Sequence, residues 1–161
     1  MKKLALLFSL SILFLSVYES AAQIPSPVHW EFSVAEVDGD EATLLFKANI
    51  DKGWHLYSQH VDPMGPIPTE FTFKESKEFS LIGDVTEDEN DGETVYDPNF
   101  EMELTYFSNQ AFFYQKVKLN YLGSFKIAGD VGFMVCDDKR CLPPEYVDFN
   151  IIYPVIEKDD K

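Results

Sequence analysis

The sequence contains few cysteines and few basic residues. Two cysteines among 161 residues cannot build a disulfide-rich scaffold, and they cannot supply the four thiolates of a structural zinc site. Lysine and arginine number 13 against 28 acidic residues, which gives a formal net charge of −15. An acidic surface repels phosphate backbones and anionic lipid headgroups, so nucleic acid and membrane surfaces are excluded as expected partners. The same repulsion disfavours self-association, and we expect a monomer.

Aromatic residues, in contrast, are abundant. The chain is 45% hydrophobic and contains 14 Phe, 8 Tyr and 2 Trp. So many apolar rings cannot remain in water, which excludes disorder over most of the chain. The length suits one domain, with room for a short tail.

The first residues have the pattern of an export signal. Lys2 and Lys3 provide a positive start, Leu4 to Val17 is an apolar stretch, and Ser20-Ala-Ala22 supplies the small residues before a cleavage site. We therefore predict a signal peptide over residues 1–22 and an exported protein, in a bacterial periplasm or secreted. An uncleaved anchor is the alternative, but the apolar run is shorter than the ~20 residues that span a bilayer.

The remaining sequence has the pattern of short strands separated by turns. Apolar residues rarely show helical spacing, while β-branched and aromatic runs recur between Gly, Pro and Asp clusters. We predict an all-β, immunoglobulin-like β-sandwich over residues 23–156, followed by a charged tail at 157–161. The predicted strands are Val28–Val37, Ala42–Ile50, Trp54–Tyr57, Glu70–Phe73, Phe79–Ile82, Met102–Phe107, Ala111–Leu122, Phe125–Val135 and Val147–Val155.

The two cysteines, Cys136 and Cys141, are the main candidates for chemistry. Four polar residues separate them, as in a four-residue hairpin loop whose flanking residues face each other. Facing Cα atoms lie roughly 4.5–5.5 Å apart, within the range that a disulfide needs. So small a ring would stabilise the fold by only about 2 kcal/mol, so a reducible loop-tip bridge is favoured over a structural brace. The spacing alone leaves a redox pair, a structural bridge and a metal site open.

Local charge distinguishes the two sulfurs. Lys139-Arg140 precedes Cys141 and favours its thiolate, whereas Asp137-Asp138 follows Cys136 and disfavours its thiolate. We therefore expect Cys141 to carry a mixed disulfide with a partner and Cys136 to resolve it.

Two other patterns resemble metal sites and are interpreted otherwise. The acidic segment Thr86–Glu93 imitates a calcium loop, but the position for the final glutamate is Pro98. His55 and His60, with His29 elsewhere, have no spacing that demands a metal. We predict no metal.

The cysteine segment also resembles a known family. Phe133-Met-Val-Cys-Asp-Asp-Lys-Arg-Cys-Leu-Pro-Pro-Glu145 is similar to the active-site hairpin of the N-terminal periplasmic domain of the thiol:disulfide interchange protein DsbD, the disulphide bond corrector domain. Asp51-Lys-Gly-Trp-His-Leu-Tyr57 resembles a strand of that family, and Tyr96-Asp-Pro-Asn-Phe100 resembles its cap loop. The loop here has four residues where well-known members have five, and His55 occupies a position where they have Tyr.

The resemblance implies an immunoglobulin-like domain that relays reducing equivalents without a cofactor. It implies thioredoxin-like domains or disulfide isomerases as partners, bonded through Cys141, and a separate protein as electron donor. It places His55, Tyr57 and Arg140 around the cysteines, with Tyr96 or Phe100 shielding the sulfurs. The alternative function is a secreted immunoglobulin-like binding module whose hairpin disulfide is structural.

Overall fold

The computed structural model describes residues 25–88 and 92–153 and builds them from strands. The predicted signal peptide and the charged tail lie outside these residues. No helix of membrane-spanning length occurs within residues 25–88 and 92–153. The eleven strands of the described part are β1 (Val28–Asp38), β2 (Glu41–Ile50), β3 (His55–Tyr57), β4 (Glu70–Phe73), β5 (Phe79–Glu87), β6 (Gly92–Asp97), β7 (Met102–Ser108), β8 (Gln110–Leu119), β9 (Phe125–Phe133), β10 (Val135–Cys136) and β11 (Glu145–Tyr153).

The strands form three antiparallel sheets. One has the order β1-β2-β8-β5, the second β10-β3-β7-β6 and the third β11-β9-β4. The prediction of an all-β fold is confirmed. The first hairpin shows how local sequence determines pairing: Asp38 pairs with Glu41, and Gly39 takes a φ of 61° in the turn between them.

Alternating burial along the strands explains why they pack as a sandwich. In β2, Ala42, Leu44, Phe46, Ala48 and Ile50 are buried while the intervening residues are partly exposed. A strand places successive side chains on opposite faces, so one face of β2 is entirely apolar. That face lies against the third sheet, which provides the other half of the core.

Aromatic rings fill the space between the sheets. The ring centroids of Phe46 and Phe149 lie 5.0 Å apart, and those of Phe71 and Phe113 lie 5.2 Å apart. Trp30 is partly buried and lies 5.6 Å from Phe133. Offset and edge-on ring pairs of this kind add stabilisation beyond the burial of apolar area.

The structure differs from the predicted strands in two places that matter for the site. The predicted strand Phe125–Val135 is divided at Met134, because β9 pairs with β11 and β4 whereas β10 pairs with β3. Residues Gly92–Asp97, which were not predicted as a strand, form β6 against β7. Tyr96 therefore lies on a strand and not in a loop.

We predict that Phe46→Ala lowers the free energy of unfolding by about 3–5 kcal/mol, since the side chain is 0% exposed and contacts several aromatic rings. Urea denaturation followed by fluorescence measures the change. Met64→Ala is the control, because Met64 is 81% exposed and its truncation changes stability by no more than about 0.5 kcal/mol. Equal effects of the two substitutions would contradict this description of the core.

Candidate functional site

Cys136 and Cys141 form a disulfide across a hairpin, as their spacing allows. Their Cα atoms lie 4.0 Å apart, slightly closer than the expected separation. The backbone N–H of Asp137 donates to the carbonyl of Arg140 at 2.9 Å, and that of Leu142 donates to Val135 at 2.9 Å. The cysteines therefore face each other between two hydrogen-bonded pairs, the arrangement in which antiparallel side chains come closest.

The loop between the cysteines is organised by Asp137. Its carboxylate accepts the backbone N–H groups of Lys139 and Arg140, both at 2.8 Å, and these hydrogen bonds lower the pKa of Asp137 below its usual value. The Arg140 Nε atom lies 3.7 Å from the same carboxylate, and the guanidinium lies 5.9 Å from the Trp54 ring. The guanidinium of Arg140 is thus paired with the Asp137 carboxylate of the same loop.

The two sulfurs differ in exposure. Cys136 is 1% exposed, within a buried cluster that also contains Tyr57 and Leu104, whereas Cys141 is only partly buried and packs against that cluster. A partner thiol can therefore approach Cys141 more readily than Cys136. The asymmetry agrees with the order of reaction expected from the local charges.

His55 lies directly opposite Cys136 in the pairing of β3 with β10. Its Nδ1 atom is 3.0 Å from the Ser108 hydroxyl oxygen, and its Nε2 atom is 3.5 Å from an Asp138 carboxylate oxygen. The imidazole also stacks on Tyr106, with ring centroids 4.2 Å apart. The histidine therefore connects the cysteine loop with the neighbouring strand β7.

Tyr57 is fully buried, and its hydroxyl donates to the Asp97 carboxylate at 2.5 Å. Burial, with the hydrogen bond to Asp97 as the second cause, raises the pKa of Tyr57 far above its usual value. The phenol therefore stays protonated. Asp97 was not singled out in the sequence, although it lies inside the segment that resembles a cap loop.

A turn at Pro98–Glu101 covers this cluster. The Phe100 ring meets the Tyr57 ring edge-on at 5.8 Å and packs against the cluster that contains Cys136. Asp97 holds the turn at its base, since its carboxylate accepts the backbone N–H of Asn99 at 2.7 Å. The Asn99 side chain donates to the Asp137 carbonyl at 3.2 Å and so links the turn to the cysteine loop.

Tyr96 and Phe100 have different surroundings, although the sequence suggested either as a shield. Tyr96 is 63% exposed and is not part of the cluster around the cysteines. Alternation along β6 explains the difference, because Asp97 points inward to Tyr57 and the adjacent Tyr96 consequently points outward.

Within the described ranges, no three His, Cys, Asp or Glu side chains are grouped as metal ligands. His60 lines a different cavity of about 280 Å³, together with Ser58, Glu87 and Thr105. His55, in contrast, lies beside the cysteines. The two histidines considered for a metal therefore line different parts of the surface.

We predict that Phe100→Ala speeds the alkylation of the reduced cysteines by iodoacetamide about fivefold to tenfold, since the partly buried ring contributes roughly 1 kcal/mol to the closed turn. Tyr96→Ala is the matched control and leaves the rate unchanged. Mass spectrometry of quenched samples gives both rates. An effect of Tyr96→Ala as large as that of Phe100→Ala would contradict the assignment of Phe100 as the covering residue.

The N-terminal domain of DsbD from Neisseria meningitidis, in the reduced form, aligns at 16% identity over 80% of this chain and 86% of that chain, with a TM-score of 0.55. The N-terminal periplasmic domain of ScsB from Proteus mirabilis aligns at 12% identity over 81% of this chain and 49% of that chain, with a TM-score of 0.52. This chain thus spans about half of the ScsB chain. No curated protein sequence matches.

These likenesses establish the fold, and the predicted immunoglobulin-like sandwich is confirmed. A family model described as "Thiol:disulfide interchange protein DsbD, N-terminal" matches residues 17–152. That range includes both cysteines, the strand with His55 and Tyr57, and the turn with Phe100. The chain therefore belongs to the family of DsbD N-terminal domains.

Proposed function

We propose that this chain is a thiol–disulfide exchange domain that relays reducing equivalents through the Cys136–Cys141 pair. One observation carries the proposal: in a chain of this family, a hairpin disulfide joins a buried cysteine to a less buried one beside a small turn. A disulfide at a loop tip that another protein can reach is typical of labile, functional bridges.

The proposed reaction is two successive thiol–disulfide exchanges. A partner thiolate attacks the Cys141 sulfur, the Cys136–Cys141 bond breaks, and its electron pair passes to the Cys136 sulfur. A second partner thiol then releases the chain with both cysteines reduced. In the opposite direction, Cys141 attacks a substrate disulfide and Cys136 resolves the mixed disulfide, so the substrate gains two electrons. The sulfurs carry both electrons, and no cofactor is required.

The turn at Pro98–Glu101 has to move for this reaction. Phe100 covers the cluster, and the Asn99 side chain joins the turn to the cysteine loop through its hydrogen bond to the Asp137 carbonyl. A single neutral hydrogen bond contributes only about 1 kcal/mol net, so a docking partner can displace it. The base of the turn is held more firmly by the buried Asp97.

The partners proposed are thioredoxin-like domains or disulfide isomerases, each bonded transiently to Cys141. We propose that residues 1–22 export the chain to the periplasm, that residues 23–156 form the exchange domain and that 157–161 form a tail. The similarity to a periplasmic domain of ScsB supports this location. The high negative charge supports a monomer that meets its partners transiently.

The alternative, a binding module with a structural disulfide, is not favoured by the family. The ring that the disulfide encloses is short, with a sequence separation of 5, so it stabilises the fold by only about 2 kcal/mol. A brace between the core sheets would stabilise the fold more.

The reduction potential of the disulfide tests the proposal. A relay requires a value of roughly −180 to −270 mV, which spans disulfide isomerase and thioredoxin. Residues 23–161 are equilibrated with glutathione or dithiothreitol buffers, and the free thiols are counted by mass spectrometry. A value below about −300 mV would indicate a structural bridge and contradict the exchange function.

The roles of the two cysteines give a second prediction. Cys141 in the Cys136→Ser variant reacts with oxidised glutathione about tenfold or more faster than Cys136 in the Cys141→Ser variant, because Cys136 is buried. The two variants are matched, since each keeps one thiol of the same pair. Equal rates, or a faster reaction of Cys136, would reverse the proposed order of attack.

A further inference from the structure

Cys136 has to lose and gain a proton in a buried, acidic environment. Its side chain is 1% exposed, and Asp137 and Asp138 follow it in the chain. A thiol that is buried among apolar side chains ionises reluctantly, and neighbouring carboxylates add to the cost of a thiolate. Exchange at Cys136 therefore needs a group that takes up its proton as the sulfur reacts.

His55 is the ionisable side chain paired with Cys136. The two residues face each other in the ladder of β3 and β10, and side chains directly opposite on antiparallel strands project on the same face. The imidazole side chain is 20% exposed, so it contacts solvent, and its residue lies opposite the buried cysteine. A histidine in this position can pass protons between the sulfur and water.

The two polar contacts of the imidazole differ in length and in the exposure of the partner. One ring nitrogen lies 3.0 Å from the Ser108 hydroxyl, and the other lies 3.5 Å from Asp138, whose side chain is 88% exposed. The second contact is long for a hydrogen bond, and its partner can be replaced by water. The Tyr106 ring packs against the imidazole at an interplanar angle of 30°.

The other charged and titratable groups near the imidazole are mostly acidic. Tyr106 does not compete as a base, because burial and the nearby charges of Glu93, Asp138 and Asp97 raise its pKa. The groups come from four elements: Asp137, Asp138, Lys139 and Arg140 of the cysteine loop, Tyr106 of β7, Glu93 and Asp97 of β6, and Tyr57 of β3.

We propose that His55 is the proton acceptor and donor for Cys136 during exchange, a role that rests on the exchange function proposed above. When Cys136 resolves a mixed disulfide, its proton passes to the imidazole and its sulfur bonds to Cys141. The bond from Cys141 to the partner sulfur breaks, and the electron pair leaves with the partner as a thiolate. In the reverse reaction, the imidazolium returns the proton to the Cys136 sulfur as that sulfur leaves Cys141.

The test is the oxidation of the reduced chain by dithiobis(nitrobenzoate), an aromatic disulfide that acts as the oxidant. Cys141 first forms a mixed disulfide and releases one coloured thiolate, and Cys136 then releases the second. Acid-quenched samples are weighed by mass spectrometry. The highest fraction of the chain present as mixed disulfide reports the rate of the second step relative to that of the first. This holds even where the two releases of coloured thiolate overlap in time.

We expect His55→Phe, which keeps an aromatic ring on Tyr106 but removes both nitrogens, to slow the second step roughly tenfold to 100-fold. The first step is unchanged, so the mixed disulfide accumulates. His55→Gln is the second variant, in case the phenylalanine disturbs folding. The matched control is His29→Phe, because His29 is 65% exposed and pairs with Asp51 away from the cysteines.

The pH profile separates proton transfer from a merely structural role. The rate of the wild-type second step rises with pH as the accepting base loses its proton, and then levels off. In the variants the rate depends on ionisation of the thiol alone and keeps rising at pH values where the wild type has levelled off. An unchanged second step, or one slowed equally at every pH, would overturn the role of His55. Absence of a second step in the wild type would overturn the exchange function as well.

Discussion

The pairing of Val135–Cys136 with His55–Leu56 is the interaction on which the site depends. Up to Phe133 the chain belongs to the sheet formed with β4 and β11, and beyond Met134 it pairs with β3. Because the chain changes its pairing partner here, Cys136 lies outside the sheet of β11, β9 and β4 and opposite His55. Leu142 is hydrogen-bonded to Val135, so the second arm of the hairpin is held by the same short strand. Cys141, on that second arm, consequently lies nearer the surface.

The core of the domain and the turn that covers the cysteines are held by contacts of different strength. The sandwich is filled by aromatic rings that lock the strands in register, so the cysteine hairpin has a fixed base. The turn at Pro98–Glu101 is attached differently. Asp97 is buried, accepts the Tyr57 hydroxyl and fixes the start of the turn, while Phe100 and Asn99 contact the cysteine site. In the proposed exchange, movement is confined to these few residues beside the sulfurs.

The chemistry of the site follows from an asymmetry between its sulfurs. Cys141 is accessible and adjoins Lys139-Arg140, whereas Cys136 is buried next to carboxylates. In the proposed exchange, this exposure and charge direct a partner to Cys141 and leave Cys136 as the thiol that needs a proton acceptor. His55, held between Ser108 and Asp138, is the residue opposite Cys136 in the ladder, and we propose it as the proton acceptor. Tyr57, whose phenol stays protonated, serves to hold Asp97 and the turn.

The sequence by itself determined the features that depend on near neighbours. Alternating apolar residues predicted the strands, and the spacing of Cys136 and Cys141 predicted a feasible bridge, since each involves only local geometry. Strand pairing decided the rest. His55 and Asp138 are 83 residues apart and Tyr57 and Asp97 are 40 apart, so no local pattern could place them together. The division of the chain at Met134, the unpredicted strand β6 and the outward direction of Tyr96 also depend on which strands become neighbours, which is a property of the whole packed sandwich.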